Sequence, residues 1–377
     1  MKIILVHVGG VHKYPPALSV LYILKDLGYE VVLCTTDVTT STKKLCKEND
    51  IKLYNIDVDY YKSVSLITKF LRLFKIKKFI WKSVKKEKCD NMVLWISSTE
   101  TMKHLGNEIY KYKYILHFYE LVEDILYTYK LPFLKINANK LCNNSERVIE
   151  AEYNRAYITM VNWELDRVPA VLPNKPYYVS EMEKEMNITS NDEVENLIEK
   201  LEDKKIILYQ GKVSPERPLI EYIKAIKKLG DEYALVIMSG DENIYKDFES
   251  DNFYFVPYIT PPKHLEVTSH AFIGILTYVP EFRYKGASLN TVYCAPNKLY
   301  EYSMFGIPMI GNDIPGLATP FEKFNAGVCI SDIKEENIYN ALLEIEKKYN
   351  EYSIGSKRLY NNTDLKSSIK NIIENIE

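Results

Sequence analysis

The amino-terminal stretch Lys2–Gly10, KIILVHVGG, indicates the fold class of this 377-residue chain. Its continuous apolar run has the length of a strand buried on both faces, and two glycines follow it directly. A helix is predicted from Pro15 to Leu27, because proline suits the first helical turn. A second apolar strand is predicted at Glu30–Thr35. The order strand, helix, strand is typical of a parallel sheet with helices on both faces.

The same alternation continues along the chain, with one interruption. Strands are predicted at Met92–Ile96 and Tyr114–Phe118, and the segment Ala170–Pro176 is predicted to be a strand that ends in a proline-bounded hinge. The polar segment Ser180–Lys204 is predicted to be helix plus linker, and the alternation restarts with a strand at Lys205–Gln210. We therefore predict an α/β fold with two Rossmann-like doubly wound domains facing a cleft. Their predicted ranges are 1–176 and 177–360, followed by a carboxyl-terminal helix, 361–377, that could pack back on the first domain.

The composition excludes several classes of protein. Hydrophobic residues make up 46% and charged residues 27% of the chain, the balance of a globular protein. No apolar run approaches the roughly 20 residues that a membrane-spanning helix needs. The six cysteines form no C-x-x-C pair, and the net charge of −2 does not favour nucleic-acid binding. These features predict a cytoplasmic protein.

The segment Ala295–Ile310, APNKLYEYSMFGIPMI, carries the clearest functional pattern. Asn297 is predicted to be the N-cap of a helix that runs to Phe305 and is closed by Gly306 and Pro308. The free N–H groups and the positive dipole end of such a helix can hold a phosphate. Glu301, one turn further on, could accept hydrogen bonds from two adjacent sugar hydroxyls. A nucleotide-sugar site needs both features, although an ordinary capped helix with an exposed glutamate shows the same pattern.

This segment resembles a motif of the large retaining, nucleotide-sugar-dependent family of GT-B-fold glycosyltransferases, the family 4-like group. The shared positions are Pro296, Asn297, Lys298, Leu299, Glu301, Tyr302, Gly306, Pro308 and Ile310. The resemblance is strongest over residues 205–330 and implies that Glu301 binds the ribose hydroxyls of the donor. It also covers the stretch from Leu208 to Lys212. There it implies that Lys212 and Arg217 hold the diphosphate and stabilise its departure.

The resemblance defines a set of candidate site residues in the second domain. The predicted donor-nucleotide residues are Glu301, Asn297, Lys298, Lys212, Arg217, Gly211 and Tyr258. Many members of the family carry a glutamate eight positions before the ribose glutamate, where this chain has Tyr293, and Glu281 stands at a different spacing. The predicted loop 286–291 could contact the sugar instead, through Ser288 and Asn290.

In the first domain the candidates are two glycines and a histidine. Gly9 and Gly10 would let a ligand approach the backbone closely, although tight turns also use glycine. His117 lies at the end of a predicted strand and is expected to point into the cleft, although lone histidines are often packed in the core. The resemblance implies that the glycine loop lies near the acceptor and the donor phosphates. It also implies that His117 contacts the donor sugar as a positioning group, so we count His117, Lys212 and Arg217 as the candidate catalytic residues.

Residues 69–88 form a basic segment with nine Lys/Arg and one acid, interleaved with Phe70, Phe74, Ile80 and Trp81. Basic amphipathic helices of this kind bind anionic membrane surfaces. A helix that packs its apolar face on the sheet and leaves its lysines in water would show the same pattern. A polyprenyl-linked acceptor would give a membrane-binding segment a purpose.

Together these features predict a hexosyltransferase-type glycosyltransferase. It would move a sugar from a nucleotide-diphosphate donor to a glycan or lipid-linked acceptor in cell-surface polysaccharide or glycoconjugate synthesis. Cationic side chains could neutralise the diphosphate, so neither a metal nor a cofactor is expected; Asp57-Val58-Asp59 is only a weak match to a D-x-D metal motif. The resemblance implies retention at the anomeric carbon. The alternatives are a non-catalytic partner of another glycosyltransferase, suggested by Tyr293, and a nucleotide-sugar epimerase.

Overall fold

A computed structural model describes residues 1–58, 65–177, 192–248, 252–259, 261–280 and 285–376. The chain forms two compact units. The first comprises Met1–Val179 together with Asp364–Glu377, and the second comprises Ser180–Thr363.

The strands of the first unit are β1 (Lys2–His7), β2 (Glu30–Thr36), β3 (Lys52–Ile56), β4 (Met92–Ser97), β5 (Tyr114–His117), β6 (Arg147–Glu150) and β7 (Ala170–Val171). Those of the second unit are β8 (Lys205–Gln210), β9 (Tyr233–Ser239), β10 (Phe253–Pro257), β11 (Ile273–Leu276), β12 (Met309–Asn312) and β13 (Gly327–Ile330).

The helices, in chain order, begin with α1 (Pro15–Asp26), α2 (Thr40–Glu48), α3 (Leu66–Lys86), α4 (Thr99–Met102), α5 (Ala138–Asn143), α6 (Tyr153–Asn162) and α7 (Asp192–Lys200). They continue with α8 (Ile220–Leu229), α9 (His264–Thr268), α10 (Lys285–Val292), α11 (Asn297–Met304), α12 (Pro315–Phe324), α13 (Glu335–Lys347), α14 (Tyr349–Asn361) and α15 (Leu365–Glu374).

The sheet of the first unit has the strand order β3-β2-β1-β4-β5-β6-β7, and every pairing is parallel. In β1, Ile4 and Val6 pack in a core with α3, whereas Ile3 and Leu5 pack on the other face with α1 and α15. Because both faces are covered, the strand is apolar along most of its length. The prediction of a two-faced α/β sheet is confirmed.

The second unit repeats the architecture with the order β10-β9-β8-β11-β12-β13, again all parallel. Its strand order runs outward from the middle in both directions, as in a doubly wound nucleotide-binding sheet. The order reverses between β8 and β11, which are neighbours in the sheet. The carboxyl ends of these two strands are therefore where a ligand is expected.

Two local predictions are wrong. Residues 286–291, predicted to be a loop, lie inside α10, where Thr291 Oγ1 donates a 3.2 Å hydrogen bond to the Ala287 carbonyl one turn earlier. Polar side chains that indicate loops can instead be satisfied within a helix. Asn297 is the first residue of α11, and the extended Pro296 occupies the N-cap position without a side-chain hydrogen bond. The fixed φ of proline suits that extended position, so the helix begins one residue before the predicted point.

Three sequence features fall wholly or partly outside the described residues. They are Asp59 of the D-x-D match, the segment 178–191 of the predicted linker, and Glu281. Within the described ranges, no helix combines the length and the apolar character needed to cross a bilayer.

Candidate functional site

Several polar and aromatic side chains lie together beyond the carboxyl ends of β8 and β11. β8 ends at Gln210, and Gly211 follows with a φ of +124°, a conformation that side chains rarely adopt. On the neighbouring strand, β11 is followed by Thr277 and Tyr278. Helix α11 contributes Lys298 to the same region, since a Cβ placed on Gly211 would lie 3.3 Å from Lys298 Nζ.

Glu301 is a buried carboxylate on α11 with two partners. Its Oε1 lies 3.1 Å from His264 Nε2, and its Oε2 accepts a 2.6 Å hydrogen bond from Gln210 Nε2. Burial by itself raises the pKa of Glu301, but His264, the Gln210 hydrogen bond and the charge of Lys298 outweigh it and lower the pKa below its usual value. Glu301 is therefore an anion at neutral pH.

A hydrogen-bonded chain holds this carboxylate from two elements. Gln210, at the end of β8, accepts a 2.7 Å hydrogen bond at Oε1 from Thr268 Oγ1 of α9. His264 is the first residue of the same short helix. A carboxylate offers about four lone-pair sites, and the two protein partners use only two of them. Glu301 therefore keeps acceptor capacity for the hydroxyls of a ligand.

Lys298 lies one turn before Glu301 on α11 and is also buried. Its Nζ lies 4.6 Å from the ring centroid of Tyr209 and 5.3 Å from that of Tyr278, at cation–π distances. Burial, followed by the charge of Arg217, lowers the pKa of Lys298 to about 7, against the opposing effect of Glu301. An anion that binds beside Lys298 would stabilise its protonated form.

Arg217, on the loop that follows β8, also lies near the Tyr278 ring. Its Cζ lies 5.3 Å from the Tyr278 ring centroid. Backbone hydrogen bonds hold the loop: Val213 N–H donates to Asp241 Oδ2 at 2.7 Å, and Val279 N–H donates to the Glu216 carbonyl at 2.7 Å. Arg217 and Lys298 are thus two cations around one tyrosine.

Lys212 lies on the same loop, and its side chain is exposed. Its carbonyl accepts a 2.5 Å hydrogen bond from the Tyr209 hydroxyl, which fixes the backbone next to Gly211. The loop therefore carries the exposed Lys212 near the half-buried Arg217 and the buried Lys298.

Tyr278 is fixed by Asn312, the last residue of β12. Asn312 Oδ1 accepts from the Tyr278 N–H at 2.8 Å, and Asn312 Nδ2 donates to the Tyr278 carbonyl at 2.6 Å. This side-chain amide continues the sheet ladder by one pairing beyond the strands. It holds the backbone of the ring that both cations approach.

Tyr258 follows β10 and has an exposed side chain. A Cβ on Gly240 would lie 3.3 Å from Tyr258 Cβ, so the glycine allows the tyrosine to approach the end of β9. Partial burial and the charge of Glu301 raise the pKa of the Tyr258 hydroxyl. The tyrosine is therefore close enough to Glu301 to respond to its charge.

The structure thus brings together Glu301, Lys298, Arg217, Gly211 and Tyr258, with Lys212 on the adjoining loop. Asn297 begins the same helix and is half-buried, and Ser288 and Asn290 are half-buried on α10. Sequence reasoning missed Gln210, Thr268, His264, Tyr278 and Asn312. The only available signal was position, since Gln210 and Tyr278 lie at or just after strand ends.

The candidates of the first unit lie at the carboxyl edge of its own sheet. His117, at the end of β5, is buried; Trp95 Nε1 donates to its Nδ1 at 3.4 Å, and the Tyr119 ring packs edge-on at 4.7 Å. Burial lowers the pKa of His117 to about 3, so the imidazole is neutral. Gly9 has a φ of +108°, and its N–H donates to Thr36 Oγ1 at 2.8 Å.

A Cβ on Gly10 would lie 2.3 Å from His12 Cε1 and 3.0 Å from the Asp37 carbonyl oxygen, so a larger residue there would require the His12 ring to move. The backbone at Gly10 therefore packs closely against the His12 ring and the Asp37 carbonyl.

Comparison with solved structures shows the GT-B fold. HepE of Anabaena, in complex with UDP-glucose, matches with a TM-score of 0.68 and 11% identity, over 99% of this chain and 98% of that chain. A glycosyltransferase from Rickettsia africae matches with a TM-score of 0.63 and 13% identity, over 99% and 97% of the two chains. A Listeria monocytogenes protein assigned as a UDP-N-acetylglucosamine 2-epimerase matches with a TM-score of 0.59 and 11% identity, over 99% and 94%. No protein-family model matches the chain, and no curated protein matches its sequence.

Proposed function

We propose that this chain is a hexosyltransferase-type glycosyltransferase that takes a sugar from a nucleoside-diphosphate donor. The observation that carries the proposal is the buried, ionised Glu301 beside Lys298 at the carboxyl edge of the second sheet. A nucleoside diphosphate offers adjacent ribose hydroxyls and an anionic diphosphate, which match a carboxylate acceptor and a buried cation. HepE, which shares the fold, is in complex with UDP-glucose.

In this proposal each group of the site has a part of the donor to bind. Glu301 accepts hydrogen bonds from the ribose hydroxyls through its remaining lone pairs. Lys298, Arg217 and Lys212 neutralise the diphosphate together with the N–H groups at Asn297, while Gly211 lets the backbone come close. The exposed ring of Tyr258 offers a flat face to the base.

The chemical step follows from the same charges. As the bond from the sugar to the diphosphate breaks, negative charge grows on the leaving oxygen, and preorganised cations stabilise it most at that point. We propose that the cationic side chains suffice, so that no metal or cofactor takes part. By resemblance, we also propose retention at the anomeric carbon, a positioning role for His117, sugar contacts from Ser288 and Asn290, and acceptor contacts near Gly9 and Gly10.

For the acceptor, we propose a glycan or a polyprenyl-linked molecule used in cell-surface polysaccharide or glycoconjugate synthesis. Helix α3 supports this part of the proposal, because it carries eight Lys/Arg and no Asp or Glu. The enzyme would act in the cytoplasm, peripheral to the inner face of the plasma membrane, where such a basic helix meets anionic lipid.

The test begins with calorimetric binding of UDP and other nucleoside diphosphates. Glu301→Gln should weaken binding and remove the preference for a ribose over a 2′-deoxyribose donor, because the amide has a weaker acceptor and a competing donor. Glu344→Gln, in a surface ion pair with Lys348, is the matched control and should bind as the parent does. Absence of binding by any nucleoside diphosphate, or unchanged ribose preference in Glu301→Gln, would refute the proposal.

A nucleotide-sugar epimerase is the second candidate, favoured by the likeness to the Listeria protein. Incubation with UDP-N-acetylglucosamine alone separates the two, because an epimerase forms an isomeric nucleotide sugar without an acceptor. A transferase instead releases the nucleoside diphosphate as its acceptor is glycosylated. The third alternative is a non-catalytic partner, as Tyr293 suggests. Such a protein would bind the nucleotide but would neither isomerise the nucleotide sugar nor transfer the sugar.

A further inference from the structure

The amino-terminal half of α3 exposes a stripe of apolar side chains. Ile67, Leu71 and Phe74 are 74%, 65% and 64% exposed. Their spacing of four and three residues places them on one helix face. The carboxyl-terminal half instead buries Ile80 and Val84 in the core of the first unit. The sheet therefore holds one end of the helix and leaves an apolar face at the other end in solvent.

A second exposed apolar group lies on the loop 125–136. The loop is hairpin-like, since Leu126 and Lys135 form an antiparallel bridge and Ile136 N–H donates to the Ile125 carbonyl at 2.9 Å. It carries two aromatic side chains, Tyr129 and Phe133, which are 76% and 74% exposed. Exposed apolar side chains point to a binding surface when they form one contiguous patch with others.

Contacts through one short segment connect the hairpin loop with α3. Lys103 Nζ lies 5.9 Å from the Tyr129 ring centroid. The next residue, His104, has its Nδ1 3.3 Å from the Leu73 carbonyl of α3. Both exposed groups of the first unit therefore adjoin the segment 103–104. We call Ile67, Leu71, Phe74, Tyr129 and Phe133 together the docking face.

The charged side chains of α3, which lie next to the docking face, are all positive. Lys75, Lys78, Lys82 and Lys85 continue the helix face that begins with Leu71, and all four are exposed. No Asp or Glu lies within α3. An apolar end followed by a row of lysines suits a bilayer surface, where the apolar side chains enter the acyl boundary and the ammonium groups reach anionic headgroups.

We infer that the docking face seats the first unit on an anionic lipid bilayer, with α3 in the interface and the rings of the hairpin loop inserted beside it. The inference deepens the proposed function, since a lipid-linked acceptor would be presented at such a surface. The lysine row sets the preference for anionic lipid, and the five apolar side chains supply the part of the binding that salt does not screen.

The experiment is co-sedimentation of the full chain with vesicles of phosphatidylcholine, with and without phosphatidylglycerol. The chain should bind only the vesicles that contain phosphatidylglycerol, and less at high salt. Three sets of changes should each weaken binding about tenfold or more: Leu71→Ser with Phe74→Ser, Tyr129→Ser with Phe133→Ser, and Lys75→Glu, Lys78→Glu and Lys82→Glu together.

The controls change exposed residues elsewhere in the first unit. Val161→Ser on α6 removes a side chain that is 70% exposed, and Lys43→Glu with Lys47→Glu on α2 reverses two exposed charges. Both should bind vesicles as the parent does. Melting temperatures check that every variant is folded, which we expect because all the altered side chains are exposed.

Failure of the parent to bind phosphatidylglycerol vesicles overturns the inference and leaves a protein partner as the occupant of the docking face. Loss of binding in the controls equal to that in the variants also overturns it. Full binding by the Tyr129 and Phe133 variant overturns the role of the hairpin loop. The assay contains no nucleotide, so it tests membrane binding separately from donor binding, which the nucleoside-diphosphate titrations of the parent and of Glu301→Gln test in the same preparations.

Discussion

Donor binding should depend on pH through Lys298. Its ammonium lies between the rings of Tyr209 and Tyr278, and burial lowers its pKa to about 7. A bound diphosphate would bring negative charge beside this buried group and raise its pKa. The protonated form therefore binds the donor better, and the protein takes up a proton on binding whenever the free lysine is neutral.

The expected magnitude follows from the pKa. If the pKa of the bound form lies well above the assay range, the dissociation constant rises tenfold for each pH unit above the free pKa. Between about pH 6 and about pH 8, with a free pKa near 7, the donor should therefore bind about tenfold more weakly at the higher pH.

The assay is calorimetric titration with an intact nucleotide sugar. A nucleoside diphosphate is less suitable because its terminal phosphate has a pKa near 6 and would titrate in the same range. Buffers of different ionisation enthalpy report the number of protons taken up, which should be close to about one half per donor bound at pH near 7.

Lys298→Arg is the matched variant, because a guanidinium keeps its charge over the whole range. It should bind without this pH dependence, whereas Lys298→Met should bind weakly at every pH. An affinity that is constant from about pH 6 to about pH 8 in the parent chain, with no proton uptake, would refute the assignment of the diphosphate to Lys298.

Three further predictions concern stability and the support of the site. Burial lowers the pKa of His117 to about 3, so this histidine should remove ~2 kcal/mol of unfolding free energy as the pH falls from about 6.5 to about 5; His117→Asn should reduce the pH dependence in urea titrations by about that amount, while the buried His7 and His104 keep their own share of it. Asn312→Ala removes both hydrogen bonds to Tyr278 and should cost ~2–3 kcal/mol and weaken donor binding, and an unchanged urea midpoint would contradict this. Gly274→Ala would place a Cβ 2.4 Å from the Tyr302 ring and should destabilise by ~1–3 kcal/mol, with partial recovery on adding Tyr302→Leu; a melting point equal to that of the parent would show that the ring can move aside.

The order of the elements could be predicted from sequence because buried parallel strands are continuous apolar runs. β1 and β8 have this form, and helix signals such as Pro15 separate the strands. The exceptions are local: polar residues in α10 indicated a loop, and Pro296 took the N-cap position expected of Asn297. A local sequence pattern can be compatible with more than one conformation, and packing against neighbouring segments then selects one of them.

Two doubly wound sheets and the helix that carries Lys298 and Glu301 are predictable from the sequence, because apolar periodicity is a local property. The contacts of Gln210 and His264 with Glu301 instead depend on how distant segments pack. Gln210 and Glu301 are 91 residues apart, and the parallel crossovers that place the ends of β8 and α11 together leave no pattern at that range. Burial of Lys298, and with it the lowered pKa, also depends on rings supplied by two other segments, since the environment of a charge is set by every element packed around it.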